Sequence, residues 1–362
     1  MPSTRFSTNP SYFPAPSNAG SRRPPTVQSS SGHPRTTRPT TAATSVASQE
    51  IICAISESRG ISPTVGLAFV NLSTSEAVLC QICDSQTYAR TVHKLAVFDP
   101  TEVLFMKTAK DPRSKLYSIV EENLPQLTIT AADRRLWVEK KGHEYVEQFA
   151  FREDLESIKM SLEGSYFAAC CLAALGKTFT HHSLRIKYEP SEGAMLIDLS
   201  TIVSLELIQN LQNSKSRDCL FGVLNETLTP MGSRLLRSNV LQPSTEQAKL
   251  LGRYDAVEEL STKEEMFFSV REGLYTGLQT LHLANISLAL KSFVDSDRVL
   301  TSLIVVPTIA TFHHAEQSIN NVIMLKAYVS AIKPIYEALS GAQSNLLMAI
   351  RNVSTAYWYR QG

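Results

Sequence analysis

Paired cysteines, a Gly-Lys-Thr and paired histidines lie close together in the stretch "AACCLAALGKTFTHHSLRI", residues 168–186. Gly-Lys-Thr is typical of phosphate-binding loops, in which a first glycine stands five positions before the second and a strand precedes the loop. Here Cys171 stands five positions before Gly176, and the preceding run, rich in alanine and leucine, predicts a helix. We therefore interpret Gly176, Lys177 and Thr178 as fortuitous and expect no cofactor in this chain.

The same stretch contains residue types that bind zinc. Zinc ligands in proteins usually come in pairs separated by two to four residues, because the four ligands must surround one ion tetrahedrally. The cysteines Cys170 and Cys171 are adjacent, as are the histidines His181 and His182, so neither pair has this spacing. We interpret the two cysteines as small buried residues near the end of a helix.

Two further motifs also fail as metal sites. Cys80 and Cys83 form a Cys-x-x-Cys, but they fall in a predicted strand, where positions three apart face opposite sides, and no second pair follows at zinc-ribbon distance. His313, His314 and Glu316 form a His-His-x-Glu without further ligands, a pattern typical of a loop or helix cap. We expect no metal site.

The net charge of +1 conceals a basic tail, because residues 1–49 contain five arginines and no acidic residue. Residues 1–47 are rich in Ser, Thr, Pro and Arg and lack apolar periodicity, so we predict a disordered tail. Neither a secretory signal nor a membrane span is indicated, and the six cysteines favour a reducing compartment. Beyond the tail, the sequence indicates no basic face for nucleic acid; only Arg234, Arg237 and the "KSR" at 215–217 stand close together.

Residues 48–148 are predicted to form an α/β domain. Short aliphatic runs predict three strands, a helix and a strand, followed by a further helix and strand. These runs are "IICAIS", "TVGLAFVNLS", "EAVLCQIC", "DSQTYARTVHKLAVFDP", "TEVLFMK", "SKLYSIVEENL" and "LTITAA". The order is that of a ribonuclease-H-like sheet, but the first strand has no carboxylate and Asp84 has no obvious partner, which disfavours a magnesium-dependent nuclease.

Residues 150–352 are predicted to be all-α. The run from Arg152 to Leu175 has helical apolar spacing, and two capping boxes, Ser244 to Gln247 and Thr262 to Glu265, predict helix starts. Pro334 is expected to kink a long helix near the carboxyl end. Residues 353–362 are expected to form an atypical tail.

Residues 196–260 contain a series of fixed spacings. They include "LEL" before "NLQ", "CLFGVLN", "T-x-T-P-M-G-x-R-L-L-R", "QP" and "R-x-D-A-V-x-x-L". Thr229-Pro230-Met231-Gly232 predicts a helix-entry turn, after which two leucines should face a bundle while two arginines face outward or pair with acids. The segment closely resembles the core domain of the MutS family. The residues that match the family signature are Asp198, Thr201, Thr229, Pro230, Gly232, Arg234, Leu235, Leu236, Arg237, Pro243, Arg253 and Val257.

The flanking segments resemble the connector domain and lever helices of the meiotic, crossover-promoting branch of that family. The resemblance implies a ribonuclease-H-like connector followed by a partial helical core and lever, with no mismatch-reading domain in front. It also implies a nuclear protein that pairs with a second meiotic MutS homologue, binds DNA recombination intermediates and contacts MutL-type proteins. ATP and Mg²⁺ belong to full-length members, since this chain is expected to end before the clamp and ATPase domains and to have no enzymatic activity alone.

Two points stay open. A non-catalytic protein-interaction scaffold that keeps the connector fold without binding DNA is the alternative function. Residues 176–182 and 273–287 fit the family pattern poorly and suggest gene-model faults, as does the ending "STAYWYRQG".

Overall fold

The computed structural model describes residues 49–58, 63–190, 192–214, 216–276, 295–305 and 311–356. The predicted tail, residues 1–47, lies outside the described residues. So do residues 277–287 of the second suspect segment and residues 357–362 of the predicted carboxyl-terminal tail.

Six strands form one mixed sheet in the order β5-β4-β1-β2-β3-β6. They are β1 (Ile51–Glu57), β2 (Thr64–Asn71), β3 (Glu76–Cys83), β4 (Glu102–Met106), β5 (Thr128–Ala132) and β6 (Arg185–Tyr188). The first three strands form an antiparallel meander, and β4 and β5 extend it in parallel on the β1 side. This is the ribonuclease-H-like order that the sequence predicts, with β6 added in parallel along β3.

Helices cover both faces of the sheet. They are α1 (Ala89–Phe98), α2 (Lys107–Lys110), α3 (Lys115–Asn123), α4 (Glu139–Phe149), α5 (Leu155–Leu162) and α6 (Tyr166–Leu175), with a 3-10 turn at Arg134–Leu136. Along β1, Cys53 and Ile55 join the core under α1 and α3, whereas Ile52 and Ala54 join the core under α4, α5 and α6. A strand buried on both faces has to be apolar throughout, which explains the unbroken run in β1.

Helix α6 lies between the sheet and α4 at very short range. A Cβ atom added to Gly66 on β2 would lie 2.3 Å from the main-chain carbonyl carbon of Phe167, and one added to Gly142 on α4 would lie 2.1 Å from the carbonyl oxygen of Ala169. Because α6 is enclosed on both sides, its sequence is apolar all round, and Cys170 and Cys171 are buried within it. Its small residues permit this close approach.

The core of the sheet extends beyond residue 148, where the sequence predicted the α/β domain to end. Leu184 and Ile186 pack in the same core as α4, α5 and α6, so residues 150–188 belong by packing with the sheet. A helix that is apolar all round looks the same in sequence whether it packs in a bundle or on a sheet. The predicted single helix over 152–175 is also two helices, separated at Gly164, whose φ of +79° a helix does not allow.

The remaining described elements are helical, as predicted. They are α7 (Leu199–Ser204), α8 (Leu220–Leu224), α9 (Pro230–Leu241), α10 (Gln247–Thr262), α11 (Glu264–Thr276), α12 (Ser296–Ile304), α13 (Phe312–Ala338) and α14 (Asn345–Ala356). Helix α13 contains Pro334 and packs against α11, α12 and α14.

The two predicted capping boxes are wrong. Helix α10 has Glu246 as its N-cap residue, without a side-chain cap, and the hydroxyl of Ser244 accepts a hydrogen bond from the Glu246 N–H. Thr262 is the last residue of α10, and its hydroxyl donates back to the carbonyl of Glu258. Thr262 therefore ends one helix and does not cap the next.

Glu259 on α10 holds the turn that leads into α14. Its carboxylate accepts hydrogen bonds from the backbone N–H groups of Gln343 and Ser344, both at 2.7 Å, and from Lys263 Nζ at 2.8 Å. A negative charge before the first residue of a helix caps free N–H groups and complements the helix dipole. The hydrogen bond from Lys263, with those from the two backbone N–H groups, lowers the pKa of Glu259 to about 2.

We expect Glu259→Gln to lower the free energy of unfolding at neutral pH by about 2 kcal/mol, because hydrogen bonds to a buried charged acceptor are lost. A carboxyl with a lowered pKa stabilises the fold fully above its ordinary pKa of 4.5 and loses that contribution as the pH falls toward about 2. The gap between wild type and variant should therefore shrink on acidification, as measured by chemical unfolding at pH 7 and pH 3. Glu258→Gln, at an exposed neighbouring position, is the control; a constant gap would contradict this account.

Candidate functional site: the joint between the sheet and the helices

The helix start that the sequence predicts at Thr229 is present in the structure. Thr229 is the N-cap of α9, and its hydroxyl accepts a hydrogen bond from the Gly232 N–H at 3.0 Å. Pro230 follows as the first helical residue, where its missing N–H costs nothing. Gly232 leaves room for the cap, because an added Cβ would lie 2.9 Å from the Thr229 hydroxyl oxygen.

Arg234 binds two aspartates at the start of α12. Its guanidinium contacts both carboxylate oxygens of Asp295, at 2.5 and 2.9 Å, and one oxygen of Asp297 at 2.8 Å. The side chains of Arg234 and Asp295 are only 14% and 12% exposed. Burial acts to lower the pKa of Arg234, but the two aspartates outweigh it and raise that pKa. The cluster fixes α9 to α12 through a partly buried, bidentate ion pair.

The two leucines between the signature arginines do not face a core, contrary to the prediction. Leu235 is 58% exposed and Leu236 is half-buried. The arginines provide the anchors: Arg234 holds α12, and Arg237 Nη1 donates to the carbonyl of Val97 on α1 at 2.8 Å. Helix α9 therefore links the α/β part to the helices that follow, mainly through charged groups.

The other signature residues lie around the same helix. Asp198 caps α7 by accepting from the N–H of Thr201 at 3.0 Å, and hydrogen bonds from Ser200 and Thr201 lower the pKa of Asp198 to about 2. The carbonyl of Pro243, just after α9, accepts from the Met195 N–H. On α10, Arg253 Nη1 lies 3.4 Å from the side-chain oxygen of Asn239, and Val257 is exposed.

The carboxyl end of α9 meets α1 at a joint that the sequence did not indicate. His93 Nε2 donates to the carbonyl of Leu241 at 3.0 Å, and burial lowers the pKa of His93, against an opposing effect of that carbonyl. The side chain of Lys94 is almost fully buried. Its ammonium group forms an ion pair with Glu189 at 2.5 Å and donates a longer hydrogen bond to the side-chain oxygen of Gln242 at 3.4 Å. A small apolar cluster, formed by Val97, Ile202, Leu207 and Leu241, also packs α1 against α7 and α9.

A cavity of about 220 Å³ opens beside this joint. Arg90, His93 and Lys94 contribute basic groups to its wall, and Glu192 contributes an acidic one. A pocket for a drug-sized ligand measures roughly 300–1,000 Å³. The cavity is smaller than that, and its mixed charges select no particular ligand.

The Gly-Lys-Thr stretch lies at a helix end. Gly176 terminates α6 with a φ of +58°, so Lys177 and Thr178 follow a helix and precede an irregular segment. Phosphate loops instead follow a strand and lead into a helix, whose N-terminal N–H groups bind the phosphate. The carbonyl of Lys177 accepts a hydrogen bond from the hydroxyl of Tyr145.

Among the described residues, no group of three His, Cys, Asp or Glu side chains lies close enough to hold a metal ion. Cys80 is buried and Cys83 exposed, on opposite faces of β3 as expected. Asp84 has a structural role, because its carboxylate accepts hydrogen bonds from the backbone N–H of Thr91, at 2.8 Å, and from the Thr91 hydroxyl, at 2.7 Å, in the first turn of α1.

Two segments that follow the neighbouring strands β4 and β5 are rich in exposed basic residues, which the sequence analysis did not single out. Together they contain eight such residues, which we call the basic edge: Lys107, Lys110, Arg113, Lys115, Arg134, Arg135, Lys140 and Lys141. The usable signal was the density of Lys and Arg in "KTAKDPRSK" and "DRRLWVEKK". Only the parallel pairing of β4 and β5 shows that the two segments meet.

None of the described helices is both long enough and apolar enough to span a lipid bilayer.

Comparison with known proteins identifies both parts of the fold. The family model for MutS domain II matches residues 50–181, and that for MutS domain III matches residues 200–352. The gap between the matched ranges contains β6 and the segment that leads into α7.

Individual relatives match in the same way. The chain is 32% identical to MutS protein homolog 4 of Mus musculus, over 96% of this chain and 36% of that protein. It is 33% identical to the Homo sapiens homolog 4, over 85% of this chain and 32% of that protein. The DNA mismatch repair protein MutS of Methanosarcina barkeri is 29% identical over 58% of this chain and 23% of its own length. The chain spans about a third of the length of the homolog 4 relatives. With both domain models and these relatives in agreement, the chain belongs to the MutS family, of which it contains domains II and III.

Proposed function

We propose that this chain contributes the connector and part of the helical core and lever to a meiotic MutS-type protein. With a second meiotic MutS homologue, it takes part in a DNA clamp on branched recombination intermediates and so promotes crossing over. The supporting observation is the extent of similarity: the homolog 4 proteins of Mus musculus and Homo sapiens match over 96% and 85% of the chain, whereas the mismatch repair protein from M. barkeri matches over 58% of it.

In this proposal the joint transmits position between the two domains. Helix α9 is fixed to α1 through Arg237 and to α12 through Arg234, so a movement of α12 is passed to the sheet through short, charged contacts. Buried ion pairs are geometrically demanding, which suits a joint that has to keep one arrangement. The signature residues Asp198 and Thr229 cap the helices around this joint, by accepting hydrogen bonds from the backbone N–H groups of Thr201 and Gly232.

The proposal also covers the location, the further partners and the enzymatic activity of the protein. We propose that the protein acts in the nucleus, that MutL-type proteins are further partners, and that this chain is not an enzyme. ATP with Mg²⁺ acts in full-length members of the family, and the proposal assigns no nucleotide to residues 176–178.

A scaffold that binds proteins without DNA is the second candidate. The observation that favours it is a set of exposed apolar residues on α7, at its C-cap and on α8. Val203, Leu205, Leu220, Val223 and Leu224 are each at least 45% exposed. Exposed apolar patches of this kind are typical of protein contacts.

The affinity for DNA separates the two candidates. The full chain, alone and mixed with a second meiotic MutS homologue, is titrated into fluorescent four-way junction DNA and into linear duplex of the same length at several salt concentrations. Clamp function predicts that the mixture binds the junction more tightly than the duplex. The scaffold predicts protein complexes without DNA binding by either sample.

A further inference from the structure

The basic edge lies where two parallel strands end side by side. Met106, the last residue of β4, pairs with Ala132, the last residue of β5. Lys107 begins α2 directly after β4, and Arg134 begins the 3-10 turn just after β5. Neighbouring strands lie roughly 5 Å apart, so the two chains leave the sheet next to each other.

Asp133 shows that the two segments influence each other electrically. Its pKa is lowered first by the hydrogen bond from the Arg135 N–H and then by the positive charges of Lys107 and Arg135. Lys107 comes from the β4 segment and Arg135 from the β5 segment. The starts of the two segments therefore contribute to one electrostatic surface.

This surface is exposed and has a strong positive excess. Residues 107–115 and 133–141 contain eight basic and three acidic residues, in a chain with 35 basic and 34 acidic residues. All eight basic side chains are exposed. Among the described residues, ion pairs involve two of the eight: Arg113 with Glu121 at 2.7 Å, and Lys140 with Glu144 at 3.8 Å. Most of the charge is therefore available to a partner.

We propose that the basic edge binds the sugar-phosphate backbone of duplex DNA. Five of its eight residues are lysines, which are depleted at the centres of protein interfaces, and Trp137, an aromatic residue between Arg134 and Lys141, is buried. Within residues 133–141, Leu136 and Val138 are 45% and 37% exposed, but neither is one of the aromatic or arginine anchors that dominate tight protein interfaces, whereas phosphate binding needs only exposed cations. Contacts of this type do not depend on the base sequence.

This inference rests on the proposed function, since it names a surface through which the connector domain would touch the DNA. It adds a contact in domain II to the joint and lever described above. The carboxyl ends of parallel strands are also where open α/β sheets usually bind their ligands.

The test is a salt titration of duplex and junction binding by the full chain and two variants. One variant carries Lys107→Gln, Lys110→Gln, Arg134→Gln and Arg135→Gln. The matched control removes four exposed basic residues elsewhere, with Arg152→Gln, Lys249→Gln, Lys326→Gln and Lys333→Gln. Circular dichroism melting establishes that both variants keep the wild-type fold.

We expect the basic-edge variant to bind both DNAs roughly ten-fold or more weakly, and the slope of log affinity against log salt to fall by about 4, one for each lost phosphate contact. The control should retain the wild-type slope. Equal effects of the two variants, no change in slope, or no DNA binding by the wild-type chain would overturn the inference. So would equal competition by polyglutamate, which would indicate an acidic protein partner.

The same titration, repeated with the second meiotic MutS homologue present, separates this inference from the proposed function. A preference for the junction that survives in the basic-edge variant with an unchanged slope supports the clamp and refutes the basic edge. Loss of slope without any junction preference in the wild type supports the basic edge and refutes the clamp.

Discussion

Arg234→Met is expected to lower the free energy of unfolding by about 3–5 kcal/mol, because it leaves the carboxylates of Asp295 and Asp297 partly buried without their cation. Arg298 Nε lies 3.6 Å from Asp295, and this longer contact does not replace the bidentate pair. Chemical unfolding, with the mid-point and slope both recorded, measures the loss.

Arg253→Met is the matched control, since Arg253 has the same side chain with one contact at 3.4 Å and should lose less than about 1 kcal/mol. Adding Asp295→Asn and Asp297→Asn to Arg234→Met should restore much of the stability, because the uncompensated charges are removed. If the triple variant is less stable than the single one, the cluster does not act as an ion pair and the role given to Arg234 is wrong.

Gly142→Ala is expected to separate α4 from α6 and to destabilise the protein by about 3 kcal/mol, at the upper end of the usual cost of overpacking. The added Cβ would lie 2.1 Å from the carbonyl oxygen of Ala169, which belongs to the main chain and cannot rotate away. Thermal unfolding monitored by circular dichroism gives the shift in Tm.

Gly252→Ala is the matched control in another helix, and we expect it to stabilise the protein. An added Cβ at Gly252 on α10 meets no atom within 4 Å, so the change should raise stability by about 0.5–1 kcal/mol through better helix propensity. Equal effects of the two substitutions would show that α6 does not lie against α4 as described.

Local signals in the sequence were sufficient for several elements. The alternation of short apolar runs predicted the strands β1 to β5 and their order. The sequence Thr229-Pro230 predicted the start of α9, because a threonine N-cap followed by proline depends only on adjacent residues. The spacing pattern over residues 196–260 indicated the family, which the domain models confirm.

Contacts between distant residues were not predictable in the same way. Arg234 meets Asp295 sixty-one positions later, and nothing in the local pattern shows that the arginines rather than Leu235 and Leu236 anchor α9. The position of α6 on the sheet depends on Gly66, about a hundred residues earlier, which leaves room for its backbone. The basic edge likewise depends on strand pairing and not on spacing.

The capping errors have a related cause. Ser244 and Thr262 have the right residue types, but the chain before α10 makes a bridge between Ala194 and Ser244, and Thr262 is held by the carbonyl of Glu258. In both places the hydroxyl group or the chain segment is engaged in another backbone interaction, so the capping box does not form.

The most direct test of the central claim is the affinity of the chain, mixed with a second meiotic MutS homologue, for a four-way junction relative to a linear duplex. We expect a single complex that contains both proteins and prefers the junction by about ten-fold, or roughly 1.4 kcal/mol. Equal affinity for the two DNAs, or failure of the two proteins to assemble on either of them, would contradict it.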